Sequence, residues 1–169
     1  EVGLDGQCYF FFFFADELLY APSWDIIGKK IPEVVPEPVS TIVMSAIDEA
    51  NRQGLSFGKC YELQVPKGLC WFEVSVSRKA GSTEESRFIL LVRDITTRKN
   101  AEEALLRNNK IQIVLREIAE AAGACDSLNE LCAAIYPLVE GVLPAKNFHI
   151  NLLDEENGQI VRPYGVDEV

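Results

Sequence analysis

The sequence contains no apolar run long enough to cross a membrane. Its most conspicuous apolar stretch, residues 10–14, consists of five phenylalanines and is followed closely by Asp16 and Glu17. A transmembrane helix needs about 20 consecutive apolar residues, and no basic segment precedes the run as it would in a signal peptide. We therefore predict that this chain does not insert into a membrane and that the phenylalanine side chains are buried in protein.

Positive charge is scarce. The chain has 16 Lys and Arg residues against 26 Asp and Glu residues, which gives a formal net charge of −10. Proteins that bind nucleic acid or anionic lipid need a positive surface to neutralise phosphate groups. We therefore expect no nucleic-acid partner, and we interpret the acidity as a contribution to solubility.

Metal-binding and disulfide patterns are also missing. The only histidine is His149, and the cysteines are Cys8, Cys60, Cys70, Cys125 and Cys132. Their number is odd and no two form a C-x-x-C pair, so neither a disulfide framework nor a zinc site is predicted. A reducing cytoplasm is the expected compartment.

Motifs for catalysis are absent from the sequence. It has no Gly-rich phosphate loop, no Ser-His-Asp set and no carboxylate pair in an acid–base setting. We therefore predict that this chain is not an enzyme. It lacks an initiator methionine and stops at Val169, and we expect it to be a fragment of a longer protein whose catalysis, if any, lies elsewhere.

The first half of the chain alternates between helical and strand patterns. Apolar residues at helical spacing within the stretch 36–54 predict an amphipathic helix, with Pro38 in its first turn and Gly54 at its C-terminal cap. Period-two alternation in residues 61–65 and 70–76 predicts a β-hairpin. The next run, 87–95, is apolar on both faces before Arg93, which is typical of a central or covered strand. The three strands form a predicted meander.

A long helix is predicted to follow the meander, because no Gly or Pro occurs between Thr96 and Gly123. Its seam has the 3-4 rhythm of a coiled coil and consists of Ala101, Ala104, Asn108, Ile111, Leu115, Ile118 and Ala122. The spacing favours a dimer, with Asn108 fixing the register. A helix that packs one apolar stripe on its own domain is the alternative.

A second domain is predicted to begin after this helix. Residues 126–142 have a helical pattern with Asp126 or Ser127 as N-cap and with Pro137 bending the helix. Two strands are then expected around a turn at residues 156–158.

Two segments resemble known signalling domains. The meander ending in "RFILLVRDITTRKNAEEALLRNN" resembles a PAS sensor domain with its C-terminal Asp-Ile-Thr motif, which is often followed by a basic pair and an Ala-Glu-Glu helix. Those places are filled by Asp94, Ile95, Thr96, Arg98, Lys99, Ala101, Glu102 and Glu103. The segment "LREIAEAAGACDSLNELCAAIYPLVEGVLPAKNFHINLL" resembles the start of a GAF domain.

The resemblance implies an α+β fold. It comprises a PAS-like antiparallel sheet with short flanking helices, a long connecting helix and a partial GAF-like α/β segment. The expected boundaries are 1–97 for the PAS domain, 98–116 for the signalling helix and 117–169 for the truncated GAF domain. Within the PAS part, Asp5 and Gly6 are expected to form a turn, and residues 8–11 a second strand.

The junction between the last strand and the helix is the candidate site for signal coupling. Its predicted residues are Asp94, Thr96 and Arg98. We expect the Thr96 hydroxyl to accept an early helical N–H and Asp94 to pair with Arg98, which would fix the angle at which the helix leaves the sheet.

The resemblance also implies a central pocket and a dimer surface. The predicted pocket lining is Phe10, Phe12, Phe14, Trp24, Ile27, Val43, Phe72 and Val74, although the phenylalanine rings could instead fill the cavity. The predicted dimer interface is Trp71, on the outer sheet face, together with Ala101, Ala104, Asn108, Ile111 and Leu115.

No cofactor is predicted. PAS domains that hold haem usually do so through a histidine, and His149 falls in the GAF part on a face expected to be exposed. The Asn-Cys-Arg-Phe-Leu-like motif of the cysteinyl-flavin class is absent. An unknown small ligand is left open.

The function implied is that of a cytoplasmic sensory or regulatory module of a bacterial signal-transduction protein, such as a sensor histidine kinase or a diguanylate cyclase. It would sense a small molecule or a partner and pass the signal through a dimeric helix. The alternative is a ligand-free PAS dimerisation scaffold.

Overall fold

The computed structural model describes residues 1–13, 16–80, 86–143, 147–154 and 157–167. The chain divides into two compact units, Glu1–Asn100 and Ala101–Val169, and each is described by itself. Within the described ranges, no helix combines the length and the apolar character that a membrane crossing requires.

The first unit is built on a four-stranded antiparallel sheet. The strands are β1 (Val2–Gly3), β2 (Leu55–Val65), β3 (Gly68–Arg78) and β4 (Arg87–Asp94), in the order β1-β4-β3-β2. The register places Asp94 opposite Phe72. Since β4 lies between β1 and β3, its predicted central position is confirmed, and the antiparallel meander is present as expected.

Helices cover one face of this sheet. A short helix, α1 (Ile31–Val34), precedes α2 (Glu37–Gln53), which packs against β2 and β3. Pro38 lies in the first turn of α2, and Gly54 caps its end at a φ of 86°, a left-handed conformation that glycine adopts without a steric penalty. Its buried side chains are Val39, Ser40, Val43, Ala46, Ile47 and Ala50, so the predicted apolar face forms part of the core.

The segment before α1 is less regular than predicted. The turn at Gly6 is present, because the Gly6 N–H donates to the carbonyl of Gly3 over 3.0 Å. The predicted second strand at residues 8–11 is wrong. Cys8 makes a single bridge with Val2, and the chain then continues without regular structure through residue 13. The next regular elements are two short 3-10 turns, Asp16–Leu18 and Ser23–Asp25.

A long helix, α3 (Thr96–Ala124), begins in the first unit and continues into the second. The second unit also contains α4 (Leu128–Glu140), β5 (Asn147–Asp154) and β6 (Gln159–Asp167). Ser127 is the N-cap of α4, since its side chain accepts the N–H of Glu130, and Pro137 lies inside the helix. Of the predicted turn at 156–158, residue 156 lies outside the described residues.

Strands β5 and β6 form an antiparallel hairpin. Three rings pack together between α4 and this hairpin: Tyr136 lies 5.5 Å from Phe148 and 6.3 Å from Tyr164, measured between ring centroids. His149 is exposed, as predicted, and is paired across the hairpin with Gly165.

The first unit has the antiparallel sheet with helices that was expected. The assignment of the second unit to a GAF domain stays a prediction.

Candidate functional site

The candidate site is the junction at which β4 ends and α3 begins. Asp94 is the last residue of β4 and Thr96 is the first residue of α3. One carboxylate oxygen of Asp94, Oδ1, accepts both the Thr96 N–H over 2.9 Å and the Thr96 hydroxyl over 2.6 Å. Asp94 thus satisfies one of the backbone N–H groups that a helix leaves unpaired at its start.

The same junction is bonded to the middle of the sheet. The Trp71 N–H on β3 donates to Thr96 Oγ1 over 2.9 Å, and the Ile95 N–H donates to the Trp71 carbonyl over 2.8 Å. Ile95 itself is buried. The start of α3 is therefore held by the backbone of β3 as well as by β4, so a shift of β3 would act directly on the first turn of the helix.

Two details of the prediction for this site are wrong. The Thr96 hydroxyl accepts the N–H of Trp71 on β3, whereas a helical N–H was expected. Asp94 pairs with Lys67, at 3.2 Å between Nζ and Oδ2, and not with Arg98. The reason is the strand register: Asp94 lies at the same end of the sheet as the turn between β2 and β3, where Lys67 is located.

Arg98 instead pairs with Glu73 on β3, at 3.4 Å between its NH2 nitrogen and Glu73 Oε1. This pair joins the first turn of α3 to a side chain on the outer face of the sheet. Arg98 is thus part of the junction, as predicted, but its partner is Glu73 on β3 and not Asp94 on β4.

The electrostatics of the junction favour charged groups. Hydrogen bonds from Thr96, supported by the ion pair with Lys67, lower the pKa of Asp94 below its usual value of 3.8. The Asp94 carboxylate in turn raises the pKa of Lys67. Both groups are therefore charged at neutral pH, and the hydrogen bonds that Asp94 accepts are of the stronger, charge-assisted kind.

Trp71 is half-buried and points to the outer face of the sheet, as its alternation predicts. The Lys99 ammonium lies 5.5 Å from the centroid of the Trp71 ring, within the range of a cation–π contact. Exposed apolar side chains on the same face are Leu69, Ile89 and Leu91. The outer face therefore combines the start of α3 with an uncovered apolar surface.

The inner face carries part of the predicted pocket. Val43, Phe72 and Val74 are buried in the core, where Phe72 stacks with Tyr61 at 5.8 Å between centroids. Burial raises the pKa of Tyr61 to about 12. Whether these residues contact a ligand stays a prediction.

Four other predicted pocket residues lie at the surface. The exposed fractions are 60% for Phe10, 66% for Phe12, 82% for Trp24 and 52% for Ile27, which contradicts a position in the core. Phe14 lies outside the described residues.

For Phe10 and Phe12, the reason for this error is a shift of one position along the run. Phe11 packs against the core, and its ring stacks with that of Phe13 at 5.8 Å between centroids. In an extended segment, a slip of one residue exchanges the inward and outward side chains. Because residues 11–13 are not paired in the sheet, the strand ladder does not fix which rings point inward.

The predicted seam of α3 is largely exposed in the single chain. Ala101, Ala104, Asn108 and Leu115 are exposed, and Ile111 is half-buried. No side chain of α3 is fully buried. The single chain thus leaves this apolar stripe open, while pairing with a second helix stays a prediction.

Sequence reasoning missed Lys67 and Glu73. Both have an ordinary sequence signal, a lysine in a Pro-Lys-Gly turn and a glutamate on the polar side of a strand. Only the register of the sheet shows that Lys67 faces Asp94 and that Glu73 faces Arg98. In the described part of the chain, no group of three or more His, Cys, Asp or Glu side chains could hold a metal ion.

A family model described as PAS fold matches residues 14–100, which is just over half of the 169 residues. The match includes α2, β2, β3, β4 and the junction with α3. None of the curated proteins matches the chain.

Proposed function

This chain belongs to the PAS fold family, and we propose that it is a cytoplasmic sensory module of a bacterial signal-transduction protein of the histidine kinase or diguanylate cyclase type. In this proposal the chain is not an enzyme and carries no cofactor. The segment after α3 belongs to a GAF-like domain, and a small molecule or a partner protein supplies the signal.

The observation that carries the proposal is the junction of β3, β4 and α3. Signal transfer requires that a change in the domain core reach the helix that leaves it. The paired bonds between Trp71 and the segment Ile95–Thr96 supply such a connection, because β3 also presents Phe72 and Val74 to the core. If β3 shifted towards or away from α2, the two hydrogen bonds of Trp71 would move Ile95 and Thr96, and with them the first turn of α3.

The proposed output is a change in the pairing of α3 with a second copy of the chain. The seam residues of α3 are largely exposed in the single chain, and so are the apolar side chains beside Trp71. Burying this apolar surface in a homodimer would be favourable. A rotation of the first turn of α3 would change which side chains meet across the seam.

A combined binding and exchange experiment tests the sensor proposal. The chain is first screened against a metabolite library by thermal shift, since a ligand that binds the folded state raises its Tm. Amide hydrogen exchange is then measured with each stabilising compound. We expect at least one compound that raises Tm and also changes exchange at Trp71 and Thr96. A compound that raises Tm without any change at these amides would contradict coupling through the junction.

A ligand-free dimerisation scaffold is the second candidate. It is favoured by the buried apolar side chains of the inner face, where Phe72, Val74 and Val43 belong to one packed cluster. In that case no compound in the library would raise Tm, while the chain would still be a dimer in solution. The thermal-shift screen therefore separates a sensor of small molecules from a ligand-free scaffold.

A further inference from the structure

The turn between β2 and β3 contacts two segments that are distant in sequence. The backbone N–H of Lys67 donates to the carbonyl of Glu17 over 3.0 Å. The side chain of the same residue reaches Asp94 with its Nζ. Glu17 lies in the 3-10 turn Asp16–Leu18, whose Leu18 packs against the core of the domain. One residue thus contacts both a segment at the border of the core and the last residue of β4, next to the start of α3.

We infer that Lys67 is a positioning residue that couples the 3-10 turn Asp16–Leu18 to the Asp94–Thr96 junction. The inference rests on the proposed function and deepens it, because it names a route by which a change at the core reaches α3. The route consists of the hydrogen bond from Lys67 to Glu17, the ion pair with Asp94, and the two bonds from Thr96 to Asp94.

The local backbone suits this role. Pro66 precedes Lys67 and has a fixed φ, while Gly68 follows it with a φ of 123°, where residues with a side chain are strained. The turn is therefore restricted on both sides of Lys67. A displacement of Glu17 would move the Lys67 backbone as a unit, and the ammonium group would change its position relative to Asp94.

Arg98 does not duplicate this connection, because its ion pair is with Glu73 on β3. Lys67 and Arg98 therefore make separate ion pairs at the junction. The Arg98 ion pair depends on the position of β3. The Lys67 ion pair depends on the position of the turn between β2 and β3 and of the 3-10 turn Asp16–Leu18 that is bound to it.

Amide hydrogen exchange of the 169-residue chain without ligand tests the inference. Lys67→Met removes the charge but keeps the backbone N–H. We expect the exchange rates at residue 67 and at Thr96 to rise about two- to fivefold, the range for the loss of a partly exposed ion pair. Lys67→Arg keeps the positive charge, so both exchange rates should stay at the values of the parent. Lys59→Met, which breaks a comparable pair with Glu49 at 3.0 Å, should change neither.

A double-mutant cycle distinguishes coupling from simple stabilisation. Leu18→Ala loosens the 3-10 turn, and we expect it to raise exchange at Thr96 about twofold in the parent sequence. The same substitution should have no effect at Thr96 when Lys67→Met is already present. An equal effect in both backgrounds would overturn the inference, as would unchanged exchange at residue 67 and Thr96 in Lys67→Met. Because no ligand is used, either failure leaves the sensor proposal to its own ligand-binding test.

Discussion

Thr96 is the residue through which β3, β4 and α3 meet. Its hydroxyl donates to Asp94 and accepts from the N–H of Trp71. Thr96→Val keeps the shape of the side chain but leaves the Trp71 N–H without this acceptor, so we expect the free energy of unfolding to fall by about 1–3 kcal/mol. Urea denaturation followed by circular dichroism measures the change. Thr97→Val, at an exposed neighbouring position, is the control and should stay within about 0.5 kcal/mol of the parent. Equal changes in unfolding free energy for the two substitutions would contradict a specific stabilising role of the Thr96 hydroxyl.

Asp94 gives the junction a defined pH dependence. Hydrogen bonds from Thr96 and the charge of Lys67 lower its pKa in the folded state below the usual 3.8. A lowered pKa means that the ionised group stabilises the fold above pH ~4, and that this contribution is lost as the pH falls through the folded-state pKa. We therefore expect the difference in unfolding free energy between the parent and Asp94→Asn to be largest near neutral pH and to shrink below about pH 4.

The control for this titration is Asp48→Asn, which removes a surface carboxylate paired with Arg52 at 2.7 Å, one helical turn away. Exposed pairs of this kind contribute little, so its difference from the parent should be small at every pH. A gap for Asp94→Asn that stays constant from pH 7 to pH 3 would contradict the assigned role of the Asp94 charge.

At the residue scale, the sequence motif located the junction but not its bonding. The Asp-Ile-Thr segment identified Asp94 and Thr96 because a strand ending in these residues before a helix is a local pattern. The partners Lys67 and Trp71 are 27 and 25 residues away from Asp94 and Thr96, respectively. Local patterns do not determine such pairings, because they depend on which strand lies beside which and in what register.

At the scale of elements, the turn at Gly6 is set by close contact with α2. Gly6 has a φ of 82°, and a Cβ atom added there would lie 2.7 Å from Met44 Sδ. Gly54 has a similar φ of 86° but no atom within 4 Å of such a Cβ. We expect Gly54→Ala to cost about 1 kcal/mol from backbone strain alone, and Gly6→Ala to cost roughly 1 kcal/mol more because the Met44 side chain must also move.

The steric part of this difference can be isolated. In a Met44→Ala background, the added methyl group at position 6 no longer meets a sulfur atom, so the costs of Gly6→Ala and Gly54→Ala should become similar. Unfolding free energies from chemical denaturation supply all the values. If the excess cost of Gly6→Ala were the same with Met44 present or absent, contact with α2 would not be its cause.

Elements with a strong period were predicted well, and the phenylalanine run was not. Helix α2 and the hairpin of β2 and β3 follow from apolar spacings of helical and strand type together with Pro38, Gly54 and the Pro-Lys-Gly turn. A run of identical residues has no period, since every position is equally apolar. Its inward and outward side chains are fixed by tertiary contacts such as the packing of Phe11 on the core, which no local pattern contains.

At the scale of the whole molecule, apolar side chains of the described residues are exposed on several surfaces, and two of these surfaces bear on the proposed dimer. One is the outer sheet face with Leu69, Ile89 and Leu91, and the other is the exposed side of α3. The antiparallel sheet with flanking helices in the first unit followed from the sequence, because it depends on the order of strands and helices. Whether these surfaces pair with a second copy depends on a free-energy difference between association states, which neither periodicity nor the structure of one chain supplies.

The seam of α3 provides the decisive prediction at this scale. Ile111 and Leu115 belong to the seam, whereas Ile113 occupies a position on the opposite side of a heptad and is also exposed. Lysine at a seam position places a charge from each chain in an apolar interface, so we expect Ile111→Lys with Leu115→Lys to weaken the dimer at least about tenfold. Sedimentation equilibrium measures the dimer Kd. Ile113→Lys adds one lysine off the seam and should change the Kd by less than about threefold. Equal weakening by the two variants would mean that α3 associates through another face, and a monomeric parent would remove the dimer from the proposed mechanism.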